Sequence, residues 1–326
     1  MTDITTRHAL LEPVDLRDFH LPNRVVMAPI TRARAANDLL VPTELHAAYY
    51  GQRASAGLIV TEGTWISERS IGFVDVPGIY RAEQVTAWRR VTDVVHALGG
   101  RIVQQLWHGG PETPAGMSAA DIKATIADFA AAAENARRAG FDGVEVHAVG
   151  QFLLPQFLNA KVNRRTDGYG SARGKLLYEV VDAVAEPWDG RRVGVRLSPY
   201  WSTTENFAPD EETLTAYDEY VTTLNDHPVA YLHLRGRETG SPDFASIDRY
   251  RRQFDGPLIA NLGFDRESAN AVVAAGIADA VSFATHYIAN PDLVARFALD
   301  RELASGDPAT YYRGGAGGYV DYPESR

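Results

Sequence analysis

The chain of 326 residues contains no cysteine. That absence excludes a disulfide framework, thiolate zinc sites and a cysteine nucleophile, and it suits a reducing compartment. The chain also lacks any run of about 18 apolar residues that could span a membrane, and its first residues lack the apolar segment of a signal peptide. We therefore expect a cytoplasmic protein that has no membrane partner.

Basic residues are few relative to acidic ones. The chain has 32 Lys and Arg residues against 42 Asp and Glu residues, a formal net charge of −10. Because nucleic-acid binding requires clustered cations, we expect no nucleic-acid partner. Hydrophobic residues make up 45% of the chain and charged residues 23%, which is typical of a folded globular protein and argues against a disordered binding module. We assign no metal ligands.

Glycine-rich phosphate motifs are also missing. Neither GxGxxG nor GxxxxGK[ST] occurs, although an open doubly wound sheet usually carries one after an early strand. Short β-branched runs instead alternate with longer amphipathic stretches, which indicates repeated βα units. The eight predicted strands are Val25–Pro29, Leu58–Thr61, Ile102–Trp107, Gly143–His147, Val193–Leu197, Tyr231–Leu234, Leu258–Asn261 and Ala280–Phe283. We predict the α/β class and a (β/α)8 TIM barrel.

The domain organisation and three helices can be predicted from the same pattern. Residues 1–326 are expected to form one barrel domain with a short N-terminal segment and a C-terminal tail. A helix over Ala119–Ala139 is indicated by Ser118 as its N-cap, with Asp121 three residues later. Similar patterns predict helices over Glu211–Leu224 and Arg266–Ala275.

Polar and aromatic residues occur at the same position relative to each predicted strand, at or just after its carboxyl end. In a barrel, the carboxyl ends of all strands meet at one rim, where enzymes of this fold place their active sites. The residues that share this position are Thr31, Gln105, Trp107, His108, His147, Arg196, Arg235 and Asn261. The sequence therefore predicts a pocket for a small organic molecule at that rim.

Nine segments point to a particular family. They are Leu21–Ala35, Tyr49–Ser67, Pro77–Tyr80, Gly99–His108, Gly140–His147, Arg164–Gly170, Gly194–Pro199, Ile288–Leu293 and Gly317–Pro323. In these segments, and in this order, the chain resembles the old yellow enzyme family of FMN-dependent ene-reductases over nearly its whole length. The resemblance implies FMN across the barrel mouth, NAD(P)H as the electron donor if the reaction is reductive, and a small conjugated carbonyl compound as substrate.

The resemblance also implies positions for the FMN. Pro29, Ile30 and Thr31 would contact the flavin ring, with the Thr31 hydroxyl tuning it by a hydrogen bond. Gln105 and Arg196 would meet the pyrimidine edge, where an amide matches donors and acceptors and a guanidinium offsets negative charge. Other FMN-binding positions would be Gly263 and Thr285. Taken alone, Thr31 would be an ordinary turn residue, and Gln105 and Arg196 would more often be a structural amide and a member of an ion pair.

Substrate-binding residues are implied in the same way. His147 matches the first member of the pair that donates hydrogen bonds to the substrate oxygen and polarises the double bond. Tyr312 matches an aromatic position near bound substrate, and we count it with His147 as a catalytic candidate. Trp65, Phe73 and Phe152 are expected to line the pocket, with core packing as the competing interpretation.

The first departure from the family pattern concerns proton transfer. The family commonly continues HxANGYLL after this histidine, whereas Gly150 and Phe152 occupy the positions of the second oxygen-binding residue and the proton-donating tyrosine. Phenylalanine has no transferable proton. Reduction would then need solvent, water ordered by Gln151, or another acid, for which the tyrosine candidates are Tyr200, Tyr287 and Tyr312. The alternative is redox-neutral chemistry such as double-bond isomerisation.

The second departure concerns the FMN phosphate. The family presents small residues after strand 7 and Gly-Arg after strand 8, whereas this chain has Leu262, Ala284 and Thr285. Two Cβ atoms are added and one cation is lost, which predicts a weaker hold on phosphate. Arg235 or Arg237 would compensate only if the loop after strand 6 bends over the site.

The third departure is a shortened loop over residues 109–117, where the family inserts a cap over the active site. The mouth should be more open as a result, unless a second subunit of a homo-oligomer covers it. Three functions remain open from the sequence. They are an FMN enzyme acting on a conjugated carbonyl compound, a flavin-independent barrel catalyst such as a cyclase or isomerase, and a non-catalytic ligand-binding protein.

Overall fold

The computed structural model describes residues 4–200, 209–237 and 240–324. Its strands are β1 (Val14–Leu16), β2 (Phe19–Leu21), β3 (Val25–Met27), β4 (Leu58–Val60), β5 (Thr64–Trp65), β6 (Ile102–Trp107), β7 (Gly143–Ala148), β8 (Val193–Leu197), β9 (Val229–Arg235), β10 (Leu258–Asn261) and β11 (Ala280–Phe283). Its α-helices are α1 (Glu44–Gly51), α2 (Ala82–Ala97), α3 (Ala119–Arg138), α4 (Leu153–Leu158), α5 (Gly168–Ser171), α6 (Lys175–Ala185), α7 (Glu211–Thr223), α8 (Phe244–Arg251), α9 (Arg266–Ala274), α10 (Thr285–Ala289) and α11 (Leu293–Ala298). None of the described helices combines the length and the apolar character needed to cross a membrane.

Parallel strands close into a barrel. The hydrogen-bonded order is β4-β3-β11-β10-β9-β8-β7-β6. Strand β4 also pairs with β6, which closes the ring. The short strand β5 pairs with the last residues of β6, after the part of β6 that pairs with β4. All residues of β3, β4, β6, β8, β9, β10 and β11 are buried, as expected for a parallel sheet covered by helices. The predicted (β/α)8 TIM barrel is therefore confirmed.

The amino-terminal end of the barrel is closed by an antiparallel hairpin of β1 and β2. Phe19 of this hairpin makes an edge contact with the ring of Tyr231 in β9, with 6.1 Å between centroids. Both side chains belong to an apolar cluster that fills the lower barrel. This end of the barrel interior is filled with side chains, and a cavity opens at the carboxyl ends of the strands.

The contact between Gly194 and Tyr231 yields a stability prediction. A Cβ atom on Gly194 would lie 2.2 Å from Cζ of Tyr231 and 2.5 Å from its hydroxyl oxygen. We expect Gly194→Ala to reduce the free energy of unfolding by roughly 1–3 kcal/mol, because the buried ring must shift within a packed core. Urea unfolding followed by circular dichroism measures this change.

The matched control is Gly168→Ala on the surface. A Cβ atom there meets only Nζ of Lys175, at 3.7 Å, so we expect a change within about 0.5 kcal/mol. Equal unfolding midpoints for the two variants would show that Tyr231 does not need the space above Gly194.

The predicted elements agree with the structure to within two residues at each end. All eight predicted strands are present, and the one predicted at Tyr231–Leu234 extends over Val229–Arg235. Helix α3 begins at the predicted cap, where the Ser118 hydroxyl accepts a hydrogen bond from the Asp121 backbone N–H and the Asp121 carboxylate accepts one from Ser118 N. Reciprocal capping of this kind satisfies two backbone donors that the helix itself cannot pair.

Candidate active site

A cavity of about 640 Å³ opens at the carboxyl end of the barrel. Its volume lies within the range of sites for cofactors and small molecules. Most of the predicted site residues line it, namely Pro29, Ile30, Thr31, Phe73, Gln105, His147, Phe152, Arg196, Thr285 and Tyr312. Trp107, Arg235 and Asn261, which also follow strands, line the same cavity.

Beneath the cavity, Glu145 of β7 organises a buried polar network. Its carboxylate accepts hydrogen bonds from Gln105 Nε2 at 2.8 Å, His233 Nδ1 at 2.8 Å and the Tyr231 hydroxyl at 3.2 Å. Burial alone would raise the pKa of Glu145, but His233 and Arg196 together with these hydrogen bonds hold it below its ordinary value. Glu145 is therefore an anion, and it fixes the Gln105 amide with its nitrogen toward the carboxylate.

Arg196 of β8 places a guanidinium at the cavity floor. Its Nη2 donates to Asn261 Oδ1 at 2.9 Å, and its Nη1 lies 3.4 Å from His233 Nε2. Burial lowers the pKa of Arg196 to about 10, against the opposing charge of Glu145. The side chain remains a cation at neutral pH, and these two contacts leave further N–H donors of its five for a bound ligand.

His147 of β7 lies half-buried in the cavity wall. Burial, followed by the charge of Arg196, lowers its pKa to about 3. Its Nδ1 is buried, and among the described residues it has no hydrogen-bond partner. The imidazole is therefore neutral at physiological pH and can act as a hydrogen-bond donor or acceptor rather than as a charged acid.

Three aromatic side chains form one wall of the cavity. The ring of Trp107 lies 4.7 Å from Phe152 and 5.4 Å from His147, and Phe152 lies 5.5 Å from His147, between centroids. Trp65 was predicted to line the pocket, but the structure places it behind this wall, fully buried and stacked on Trp107 at 4.5 Å. The short strand β5 pairs with β6 at this point, and Trp65 packs with Ala33, Val76 and Trp107 in an apolar cluster instead of lining the cavity.

Two exposed aromatic residues face each other at the rim. Phe73 is 41% exposed and Tyr312 is 57% exposed, and their rings lie 5.9 Å apart. The segment that carries Tyr312 is tied to the loop after β3, because Arg32 donates to the carbonyl oxygens of Tyr311 and Gly318 and Arg34 donates to that of Thr310. Sequence reasoning assigned no role to these two arginines.

The other tyrosines considered as replacement acids lie elsewhere. Tyr287 is fully buried in the core, and its backbone carbonyl accepts a hydrogen bond from Arg53 Nε. Tyr200 is half-buried and faces the Arg237 guanidinium. Neither is among the residues that line the cavity, whereas Tyr311 and Tyr312 are.

A second cleft of about 290 Å³ adjoins the main cavity at the ends of β10 and β11. Leu262 and Thr285 line both spaces, whereas Gly263 lines only the cleft. Leu262 and Gly263 have positive φ angles of 93° and 78°, so the leucine retains a backbone conformation that favours glycine. Consecutive residues in such conformations can turn their N–H groups toward an anion.

These two spaces together fit FMN. The main cavity offers a hydroxyl, an amide and a buried cation at Thr31, Gln105 and Arg196, which are the groups that suit the edge of a flavin ring. The adjoining cleft offers Gly263 and Thr285 after the last two barrel strands, where barrels of this fold frequently bind phosphate. No group of three His, Cys, Asp or Glu residues that could hold a metal ion occurs in the described parts of the chain.

Comparison with known proteins agrees with this interpretation. Residues 9–116 and 111–304 match the NADH:flavin oxidoreductase / NADH oxidase family. A probable flavin mononucleotide-dependent alkene reductase of Leishmania infantum is 38% identical, over 96% of this chain and 97% of that protein. The 12-oxophytodienoate reductase 1 of Oryza sativa subsp. japonica is 38% identical, over 96% of this chain and 92% of that protein.

Solved structures resemble the chain over its whole barrel. Morphinone reductase is 37% identical with a TM-score of 0.91, covering 99% of this chain and 98% of that structure. The old yellow enzyme of Trypanosoma cruzi is 31% identical with a TM-score of 0.91, covering 98% of this chain and all of that one.

The barrel, the buried polar network beneath the cavity and the adjoining cleft that suits a phosphate define a flavin-dependent oxidoreductase. The chain belongs to the NADH:flavin oxidoreductase / NADH oxidase family, within which its relatives include the old yellow enzymes. The predictions of an FMN-dependent enzyme of ene-reductase type, and of NAD(P)H as the electron donor if the reaction is reductive, are confirmed.

Proposed function

We propose that the enzyme reduces the carbon–carbon double bond of a small α,β-unsaturated carbonyl compound. The observation that carries this proposal is His147, a neutral imidazole in the same cavity as Gln105 and Arg196. A hydrogen-bond donor positioned beside a flavin ring polarises a conjugated carbonyl group toward reduction. The names of the relatives, an alkene reductase and 12-oxophytodienoate and morphinone reductases, support the same reaction class.

In this mechanism, Thr31, Gln105 and Arg196 hold the ring of FMN, which supplies hydride transfer when bound. His147 donates its N–H to the substrate carbonyl oxygen and stabilises the negative charge that develops there. Trp107 is a second donor candidate, because its buried Nε1 has no hydrogen-bond partner within the described residues. Trp107 would replace the second oxygen-binding residue of the family, whose position is occupied by Gly150 in this chain.

Protonation of the substrate carbon is the step that Phe152 cannot perform, because its ring has no exchangeable proton. We propose that water in the open mouth delivers this proton, with the hydroxyls of Tyr311 and Tyr312 at the rim as protein donors. The short loop of residues 109–117 leaves room for that water. Phe152 is also the one observation that favours redox-neutral isomerisation. Neither isomerisation nor a flavin-independent cyclase finds support among the relatives.

An anaerobic assay with FMN, NAD(P)H and 2-cyclohexen-1-one tests this function. We expect consumption of NAD(P)H only when the enone is present, with formation of the saturated ketone. Conversion of the enone into a double-bond isomer without net NAD(P)H consumption would replace the proposal by isomerisation. Oxidation of NAD(P)H only after oxygen is admitted, with no change in any enone tested, would contradict both.

A further inference from the structure

The cleft that adjoins the cavity lacks a cation for the phosphate of FMN. It follows β10 and β11 and contains the left-handed backbone of Leu262 and Gly263. Among the described residues that line it, none is lysine or arginine, and Asp265 is an acid. A phosphate held by protein groups is usually also paired with a guanidinium or an ammonium group.

Two nearby basic residues are committed elsewhere. Arg266 donates to the Phe297 carbonyl oxygen at 3.1 Å and forms an ion pair with Asp300 at 2.7 Å. His286 stacks on Phe283 with 5.8 Å between ring centroids, and burial lowers its pKa. His286 is therefore neutral at physiological pH, and neither residue supplies a positive charge to the cleft.

Arg235 lines the main cavity, one strand away from the residues that line both spaces. It is the last residue of β9 and is paired in register with Asn261 of β10, the residue directly before Leu262. Its side chain is 7% exposed and lines the cavity together with Leu262 and Thr285, which also line the cleft. The Ser198 hydroxyl donates to the Arg235 carbonyl oxygen at 2.8 Å and fixes the backbone at this point.

The electrostatics agree with this placement. After burial and the charge of Glu145, the next influence on the pKa of Arg196 is Arg235, whose positive charge lowers it. Two guanidinium groups therefore share the cavity. Arg196 is hydrogen-bonded to Asn261 at the floor, while Arg235 is on β9, one strand nearer to β10 and β11, after which the cleft lies.

We propose that Arg235 supplies the cation that binds the phosphate of FMN, in place of the guanidinium that the family carries at the position of Thr285. The long side chain and planar donor fork of arginine suit this role from a neighbouring strand. The inference rests on FMN as the cofactor. It explains how a chain with Leu262, Ala284 and Thr285 in its cleft retains the nucleotide.

The test compares FMN with riboflavin, which differs only in lacking the phosphate. Full-length protein is freed of flavin and titrated with each compound, and the quenching of flavin fluorescence gives the two dissociation constants. We expect Arg235→Gln to weaken FMN binding by about 10- to 100-fold, because a charge-assisted contact is lost, and to leave riboflavin binding unchanged. Arg237→Gln is the matched control, since Arg237 is exposed and its guanidinium lies over the Tyr200 ring.

A second variant places the cation at the family position. Thr285→Arg in the Arg235→Gln background should restore FMN affinity without changing that for riboflavin. Equal losses of FMN and riboflavin affinity in Arg235→Gln would mean that Arg235 contacts the flavin ring or supports the folded structure of the site, and would overturn the proposal. Unchanged FMN affinity in Arg235→Gln would also overturn it. So would a Thr285→Arg variant that fails to restore FMN affinity. A wild-type protein that binds neither compound would refute the FMN assignment itself, while one that binds both equally would refute only the phosphate contact.

Discussion

Replacing His147 by phenylalanine should lower kcat/KM for enone reduction by about 10²- to 10³-fold, the usual cost of losing a donor to a developing oxyanion. The variant keeps an aromatic ring against Trp107 and Phe152, whose centroids lie 5.4 and 5.5 Å from that of His147. Only the two ring nitrogens, with the one N–H of the neutral imidazole, are lost. Stopped-flow oxidation of the reduced enzyme by the enone measures the effect.

The pH dependence of the wild-type enzyme gives an independent readout for His147. Burial and then the charge of Arg196 lower its pKa to about 3, so the imidazole stays neutral from about pH 5 upwards. We therefore expect kcat/KM to show no ionisation of this histidine near its ordinary value of about 6.5. A variant that retains an N–H donor, His147→Asn, should keep more activity than His147→Phe.

The FMN content of the His147 variants, measured by visible absorbance, serves as the control for an intact site. Undiminished enone reduction in His147→Phe would remove His147 from the mechanism. A rise in wild-type activity as the pH falls through about 6.5 would instead mean that the charged imidazolium is the active form.

The barrel could be predicted from sequence because its strands are short buried runs. Every residue of β6, β8 and β10 is buried, so these strands appear in the sequence as short segments that are mostly apolar, with a few polar residues toward the carboxyl end of the barrel. The same regularity places Gln105, His147 and Arg196 in one cavity. Side chains two residues apart on a strand point to the same side, and parallel neighbours share that phase.

Contacts between distant residues could not be predicted in this way. Glu145 and His233 are separated by 88 positions, and their polar side chains in mid-strand gave no sign of the 2.8 Å hydrogen bond between them. Arg32 reaches the carbonyl oxygen of Gly318, 286 positions away. Such pairs depend on barrel closure and on the path of the C-terminal segment, which local propensity does not determine.

The misplacement of Trp65 has a local cause. An aromatic residue at a strand end can face the cavity or the layer outside it, and sequence alone does not distinguish the two. The pairing of β5 with β6 brings Trp65 beside Trp107, and the two rings stack, with Trp107 on the cavity side. Trp107 then faces the cavity, and Trp65 supports it from behind.

Phe152 is the departure from the family that bears most directly on the reaction. It is partly exposed in the cavity wall, at the N-cap of α4, with its ring perpendicular to Trp107. The position therefore retains the place of a proton donor beside His147 but not its chemistry. If protonation of the substrate carbon limits the reaction, a hydroxyl group added at this ring should accelerate it.

Phe152→Tyr should increase the rate of enone reduction by about 10²-fold, the lower end of the usual contribution of a positioned general acid. The gain should disappear at high pH as the tyrosine ionises, near its ordinary pKa of about 10. Reduction in D2O gives a second readout. Tyrosine should deliver deuterium to one face of the substrate carbon, whereas water in the wild-type enzyme should deliver it to both faces.

Phe152→Leu is the control, because it changes the shape of the aromatic wall without adding a proton and should bring no acceleration. Equal rates for Phe152→Tyr and the wild type would mean that protonation does not limit turnover. If deuterium already enters a single face in the wild-type enzyme, another ordered donor must lie above the substrate. The rim tyrosines Tyr311 and Tyr312 are then the next positions to replace by phenylalanine, because they bring hydroxyl groups to the cavity without lying against His147.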